Sequence, residues 1–219
     1  MAKKKKSKRY GLTSFPIDWR EQIFASIIST RLKLAVAVLC MSGCRPIELK
    51  EGVLIRINEG LLVIQIRGAK VDIPTGRGQP LRELTVETAT PWGLFLINHL
   101  ENIPNHKALI KYNAGGVSER LREKSRRLWP RRKTLISAYS FRHFLGKAMK
   151  EDGESKEKIA YALGHAADYA QTVYGRPGGS KKNSGGHGII KATASNKMRH
   201  SVKSDRLNRF TQNKAPKND

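Results

Sequence analysis

Apolar positions change their repeat twice along the chain. Ile23, Ile27, Ile28, Leu32, Leu34, Val36, Leu39 and Cys40 carry a helical pattern through to Met41, because residues three and four apart share one helix face. The run is too long for one uninterrupted helix, so two helices meeting near Ser29-Thr30 are predicted. Ser14-Phe15-Pro16 opens the first, with Asp18 set to favour its first turn. Gly43 ends the second, and Pro46-Ile47-Glu48-Leu49 starts a short third, since proline fits the first helical position.

The repeat then shortens to that of strands. Val53-Leu54-Ile55-Arg56-Ile57, Leu61-Leu62-Val63-Ile64-Gln65-Ile66 and Leu81-Arg82-Glu83-Leu84-Thr85-Val86 are β-rich runs. Asn58-Glu59-Gly60 and the loop from Pro74 to Pro80 divide them, which predicts a three-stranded antiparallel meander. Thr90-Pro91-Trp92 caps and starts the next helix, which continues through Leu94, Phe95, Ile97 and Leu100. From Ser118 the pattern is helical again, interrupted near Trp129-Pro130 and at Gly153. Beyond Tyr174, glycine-rich stretches break regular structure, and Ile189 to Met198 is expected to form one short helix. The chain therefore reads as α+β: mostly helical, with a small three-stranded antiparallel sheet on one side.

At 219 residues it suits one well-buried domain with tails. Residues 1–10 read as a disordered basic arm, 11–175 as the ordered domain and 176–219 as a basic C-terminal tail. Lys and Arg number 42 against 18 Asp and Glu, a net charge of +24. The two ends supply +6 and +9 and the middle another +9, so the excess is not confined to solvated tails. A basic middle favours a polyanionic partner, nucleic acid above a membrane surface. No segment joins a basic face to exposed large apolar residues as membrane docking requires.

Cys40 and Cys44 lie four apart in a helical pattern with no further Cys to complete a metal site. A disulfide there would be strained, so both read as buried free thiols. There is no apolar signal core and no apolar run of membrane-spanning length. A cytoplasmic protein, associated with the nucleoid when bound to DNA, is expected.

Four pieces of sequence carry candidate chemistry. Ser42-Gly43-Cys44-Arg45-Pro46-Ile47-Glu48-Leu49 puts an arginine in a helix-to-helix turn, and Arg67-Gly68-Ala69-Lys70 puts a lysine at the end of the second strand. Tyr139-Ser140-Phe141-Arg142-His143-Phe144-Leu145 begins a helix with Arg142 flanked by apolar residues, as though it faced a cleft. Tyr161-Ala162-Leu163-Gly164-His165 is followed by Tyr174, nine residues after the histidine. Alone, each has an ordinary reading: a surface arginine, a solvated hairpin lysine, a capping histidine, a packing tyrosine. In this order they can be assembled around one phosphodiester, with the tyrosine hydroxyl as nucleophile and the other groups on the developing charge.

Together these pieces resemble the catalytic domain of the tyrosine recombinases, the phage-integrase family, over roughly residues 17 to 175. The resemblance implies that residues 11–175 are a catalytic domain of that fold. It implies Arg45 and Arg142 as the two catalytic arginines, Lys70 as the β-hairpin lysine, His165 as the third-box histidine and Tyr174 as the nucleophile. Attack of Tyr174 on a DNA phosphate would give a 3′-phosphotyrosine and a free 5′-hydroxyl. Arg45 and Arg142 would donate forked, permanently charged hydrogen bonds to the non-bridging oxygens. His165 would add a donor, and Lys70 would protonate the leaving 5′-oxygen. Neither a metal nor any other cofactor is expected, nor a small-molecule substrate.

Two features depart from the family pattern. The family has a histidine three residues before the second arginine, where this chain has Tyr139. A phenol still donates a hydrogen bond, but its pKa of about 10 makes it a poor cation or proton shuttle, so Tyr139 is expected as an auxiliary group in an altered site. Integrases also carry an additional N-terminal helical DNA-binding domain, and few residues precede the first helix here. The chain is therefore expected to be either an excised catalytic domain or a naturally minimal protein.

Lys3, Lys4, Lys5, Lys6, Lys8 and Arg9 of the arm, with Arg77 of the hairpin loop, are assigned to DNA phosphates. In the family the segment after the nucleophile often packs onto a neighbouring subunit; residues 176–219 would either do so or form a disordered DNA-binding tail. The expected function is site-specific recombination or integration of double-stranded DNA for a mobile genetic element, by a homotetramer assembled on DNA. Type IB topoisomerase-like relaxation and a non-catalytic DNA-binding relative are the alternatives.

Overall fold

Most helices start where the sequence supplies a cap. A computed structural model describes residues 15–72, 74–168 and 186–200. Helix α1 (Trp19–Ala25) begins after Asp18, and α2 (Thr30–Ser42) begins where the Ser29 side chain accepts from the Leu32 amide. The two apolar runs thus meet at the expected Ser29-Thr30 junction. Proline opens both α3 (Pro46–Glu51) and α4 (Pro91–Glu101), the latter capped by Thr90. Helix α5 (Ala114–Leu128) starts four residues before Ser118 because Asn113 caps it; Gly115 and Gly116, weak helix formers, hide that start in the sequence. Helices α6 (Ala138–Glu151) and α7 (Lys156–Leu163) follow, α7 with a Ser155 cap.

The sheet has five strands, not three. The expected meander is present as β1 (Val53–Asn58), β2 (Leu61–Arg67) and β3 (Leu81–Val86), with Ile55 opposite Ile64 and Ile64 opposite Leu84. Two further antiparallel strands flank it, β4 (Lys107–Ile110) beside β1 and β5 (Ile189–Ala194) beside β3. The order is therefore β4-β1-β2-β3-β5. The short helix expected at Ile189–Met198 is instead β5 and the turn after it. Its run Ile189-Ile190-Lys191-Ala192-Thr193-Ala194 carries too little apolar periodicity to show its state alone. Pairing with the free edge of β3 decides it.

The core lies between the sheet and the helices. Ile55, Leu62, Ile64, Ile66 and Leu84 are fully buried in one cluster with α2 residues such as Val36 and Leu39. Trp19 packs on Phe141 with ring centroids 4.9 Å apart, joining α1 to α6. The Arg20 guanidinium sits 3.7 Å from the Phe144 centroid and 4.7 Å from that of Trp92, a cation held between two aromatic faces. Cys40 and Cys44 are buried free thiols, and burial pushes Cys44 up to about 12. Helix α7 packs against both β3 and β5, which brings the Leu163-Gly164-His165 turn to one end of the sheet. Among the described residues, no helix is long and apolar enough to cross a membrane.

Candidate active site

At the base of the site is a carboxylate, Glu48, on the first turn of α3. Its Oε1 accepts from Arg45 Nη1 at 2.6 Å and Arg82 Nη1 at 3.1 Å. Its Oε2 accepts from the Arg45 backbone N–H at 2.7 Å and Arg82 Nη2 at 2.8 Å. The Glu48 and Arg82 side chains are fully buried. Arg82 Nε donates onward to the Ala162 carbonyl at 3.1 Å. One ion cluster therefore ties α3, β3 and α7 together. Burial alone would raise the Glu48 pKa, but the hydrogen-bonded Arg82, with Arg45 and Arg142, outweighs it and holds the carboxyl well below the usual range.

Two glycines let the site close. Gly164 ends α7 in the left-handed conformation (φ 63°), and a Cβ there would stand 2.8 Å from Arg82 Nη1. Any side chain at Gly164 would displace the buried arginine. Gly43 ends α2 in the same conformation (φ 54°), where a Cβ would meet Leu145 at 2.9 Å and the Arg142 backbone at 3.1 Å. That close approach brings the Gly43 carbonyl within 3.2 Å of Arg142 Nη1.

Arg142 is itself fully buried. Besides Gly43, its guanidinium donates to the Leu163 carbonyl and faces His165 Nε2 at 3.3 Å. A guanidinium only donates, so Nε2 accepts, and this hydrogen bond assigns the imidazole proton to Nδ1. Burial first, and then the charges of Arg142, Arg45 and Arg82, depress the His165 pKa to about 2. His165 is therefore a neutral imidazole near pH 7.

Above this base opens a pocket of about 310 Å³. Arg45, Tyr139 and His165 line its inner side, and Lys70, Arg77 and Gly78 of the β2–β3 loop line its outer side. Gly164, Ala166, Ala167 and Arg199 complete it. Every charged residue in its lining is a cation. Both Lys70 and Arg77 are exposed, whereas Arg45 is half-buried and pinned by Glu48. Tyr139 is 36% exposed and reaches the same pocket.

Of the residues singled out in the sequence, Arg45, Lys70, Arg77, Tyr139 and His165 meet here. Arg142 does not line the pocket; it lies behind His165, in contact with its ring. Tyr174 and the arm Lys3, Lys4, Lys5, Lys6, Lys8 and Arg9 lie outside the described residues. Three further residues escaped the sequence reading. Arg82 shares the inward alternation of Leu84 and Val86, and a charge at an inward strand position was the available signal. Gln79 is buried in the loop and donates to both the His165 and Asn196 carbonyls, at 3.2 and 2.8 Å. Arg199 comes from beyond β5, and no local pattern points to it. Among the described residues no group of His, Cys, Asp or Glu is placed to hold a metal ion.

The same architecture occurs in solved structures of DNA recombinases. XerA recombinase superposes over 93% of this chain with a TM-score of 0.53 at 14% sequence identity. A lambda integrase fragment dimer bound to a core site matches over 83% of the chain (TM-score 0.50, 18% identity). XerH bound to its difH substrate before cleavage matches over 73% (TM-score 0.51, 16% identity). This is the tyrosine recombinase fold. The chain spans 65%, 64% and 48% of the lengths of those three structures, respectively. No protein-family model and no curated protein matches the sequence.

Proposed function

We propose that the chain cleaves and rejoins DNA through a covalent 3′-phosphotyrosine on Tyr174. The observation that carries this reading is convergence. Arg45, Lys70 and His165 are far apart in sequence, yet they line one cationic pocket, with Arg142 directly behind it. A pentacoordinate phosphorane gathers negative charge on its non-bridging oxygens, and preorganised donors in a partly desolvated pocket stabilise it. Arg45 supplies a guanidinium already oriented by Glu48. The neutral His165 supplies at most one N–H donor, and Arg142 fixes the orientation of its ring. Lys70, on the exposed loop, protonates the leaving 5′-oxygen. The bound DNA named in the lambda integrase and XerH structures supports DNA as the partner, as does the net charge of +24. Site-specific recombination or integration by a homotetramer on double-stranded DNA is the full form of the proposal.

The test is a nicked suicide substrate, from which the 5′-hydroxyl strand diffuses away and a covalent adduct accumulates. The wild-type protein should form the adduct, and Tyr174→Phe should bind DNA equally well and form none. An adduct persisting in Tyr174→Phe would move the nucleophile elsewhere. Supercoil relaxation without exchange between defined sites would favour the topoisomerase-like form. A second reading, a DNA-binding relative without cleavage, is favoured by the complete burial of Arg142 and by Tyr139 in place of histidine. Tight DNA binding with no adduct from the wild-type protein would establish it.

A further inference from the structure

We propose that Arg199 is a positioning residue for Lys70: it clamps the β2–β3 loop to the segment carrying His165 and so sets the width of the pocket. The inference rests on the cleavage reading above only for the role of Lys70.

The loop by itself is a small extension of the β2–β3 hairpin. Asp72 and Arg77 exchange both backbone hydrogen bonds at 2.9 Å, and the Gly68 amide donates to the Pro80 carbonyl at 2.9 Å. These bonds hold the loop to itself. They do not fix it relative to His165, which belongs to a different part of the fold.

Arg199 supplies that link. One amino group of its guanidinium, Nη2, donates to two loop carbonyls, those of Thr75 and Gly76, at 3.1 and 2.5 Å. A side chain at Gly76 would crowd this seat, since a Cβ would stand 3.1 Å from the guanidinium, and its φ of 59° also suits glycine. The Arg199 main chain is bound on the other side. Its N–H donates to the Ala166 carbonyl at 2.8 Å, and its carbonyl accepts from Asp168 N–H at 3.3 Å. His200 Nδ1 reinforces the junction, 2.8 Å from Asp168 Oδ2. The residue thus bridges the two walls of the pocket, one bearing Lys70 and Arg77, the other His165.

Buried Gln79 makes the same connection from within. It donates to the His165 carbonyl, and it exchanges hydrogen bonds with Asn196, donating to its carbonyl at 2.8 Å and accepting from its N–H at 2.9 Å. Residues 195–200, which follow β5, therefore tie the β2–β3 loop to the segment carrying His165. Lys70 is exposed on a flexible side chain, so the loop's position decides whether its ammonium reaches the leaving oxygen. A misplacement of about 1 Å in a catalytic group is enough to cost roughly 100-fold in rate.

Two measurements on full-length Arg199→Ala test the clamp. The side chain is exposed, so the variant should fold. Backbone hydrogen exchange of residues 70–79 should accelerate at least about tenfold as the loop opens locally; unchanged exchange would overturn the clamp. Cleavage of ordinary DNA should fall by on the order of 100-fold. DNA carrying a bridging 5′-sulfur at the scissile position should then be cleaved at the wild-type rate. There the P–S bond breaks as the tyrosine O–P bond forms; the tyrosine proton passes to solvent, and a thiolate leaves without needing a proton. Lys70→Ala should show the same rescue and Arg45→Ala none. An Arg199→Ala defect that persists with the sulfur substrate would overturn the link to Lys70.

Arg199→Lys keeps the charge but, without the branched guanidinium, engages the two carbonyls less well, so it should behave like the alanine variant. Wild-type behaviour of Arg199→Lys in both arms would assign the effect to charge and reject the clamp. If the wild-type protein cleaves neither substrate, the cleavage reading fails and Lys70 has no leaving group to serve. The exchange arm alone then decides the clamp.

Discussion

The inner and outer walls of this pocket are built on opposite principles. The inner wall rests on Glu48, Arg82 and Arg142, all buried, with the Glu48 carboxylate accepting four hydrogen bonds. The outer wall carries Lys70 and Arg77, both exposed, on a loop held by main-chain bonds, Gln79 and the Arg199 guanidinium. In the proposed cleavage the inner wall would hold fixed charge against a phosphate, a task that needs placement and no motion. The outer wall would present Lys70, the proposed proton donor, from a loop held in place by those bonds. On that reading one fold combines preorganised electrostatics with an exposed acid, by assigning them to different kinds of support.

The largest expected effect is on the inner wall. Arg82→Met leaves Glu48 buried with only Arg45 as partner, and breaking a buried ion pair in this way costs about 3–5 kcal/mol. The urea midpoint should fall accordingly. Pairing the change with Glu48→Gln, which removes the stranded charge, should recover a large part of the loss. A loss below about 1 kcal/mol, the range of an exposed pair, would erase the distinction between the two walls.

Protonation offers a second way to sharpen it. The folded-state pKa of His165 is depressed from 6.5 to about 2. Between those values the unfolded chain binds a proton that the native state refuses, so stability is complete above pH 6.5 and falls as the pH drops below it. The slope from this one group is about 1.4 kcal/mol per pH unit. Glu48, whose folded pKa lies below its ordinary 4.5, adds acid sensitivity only under that value. His187, depressed first by its own burial, contributes with the same sign as His165. Urea titrations from pH 7.5 to 5 on the wild type and on His165→Asn should therefore differ in slope. Equal slopes would place the acid sensitivity outside the inner wall.

Much of this site was legible in the sequence because its signals are local. The turn around Arg45, the Leu163-Gly164-His165 cap and the helix start at Arg142 each carry their own glycine, proline or apolar pattern, and the structure assembles them as helix ends. The sheet was legible only where strands alternate strongly. Lys107–Ile110 and Ile189–Ala194 are short edge strands whose state comes from pairing, which no local window contains. Arg82 was legible in principle from its inward parity with Leu84 and Val86. Gln79 and Arg199 were not, since their partners lie more than 80 residues away in the chain.

The smallest expected effect on stability belongs to the outer wall and isolates the function of exposed charge there. Arg77 is exposed and its backbone, not its side chain, pairs with Asp72, so Arg77→Ala should change stability by less than about 0.5 kcal/mol. If the side chain meets a DNA phosphate, its removal should weaken binding by a similar factor for every sequence tested. The slope of log K against log salt should shrink by about one unit, since one fewer counterion is released. A loss confined to one target sequence would instead make Arg77 a base-reading residue, and the outer wall would then take part in choosing the site as well as in the proposed chemistry.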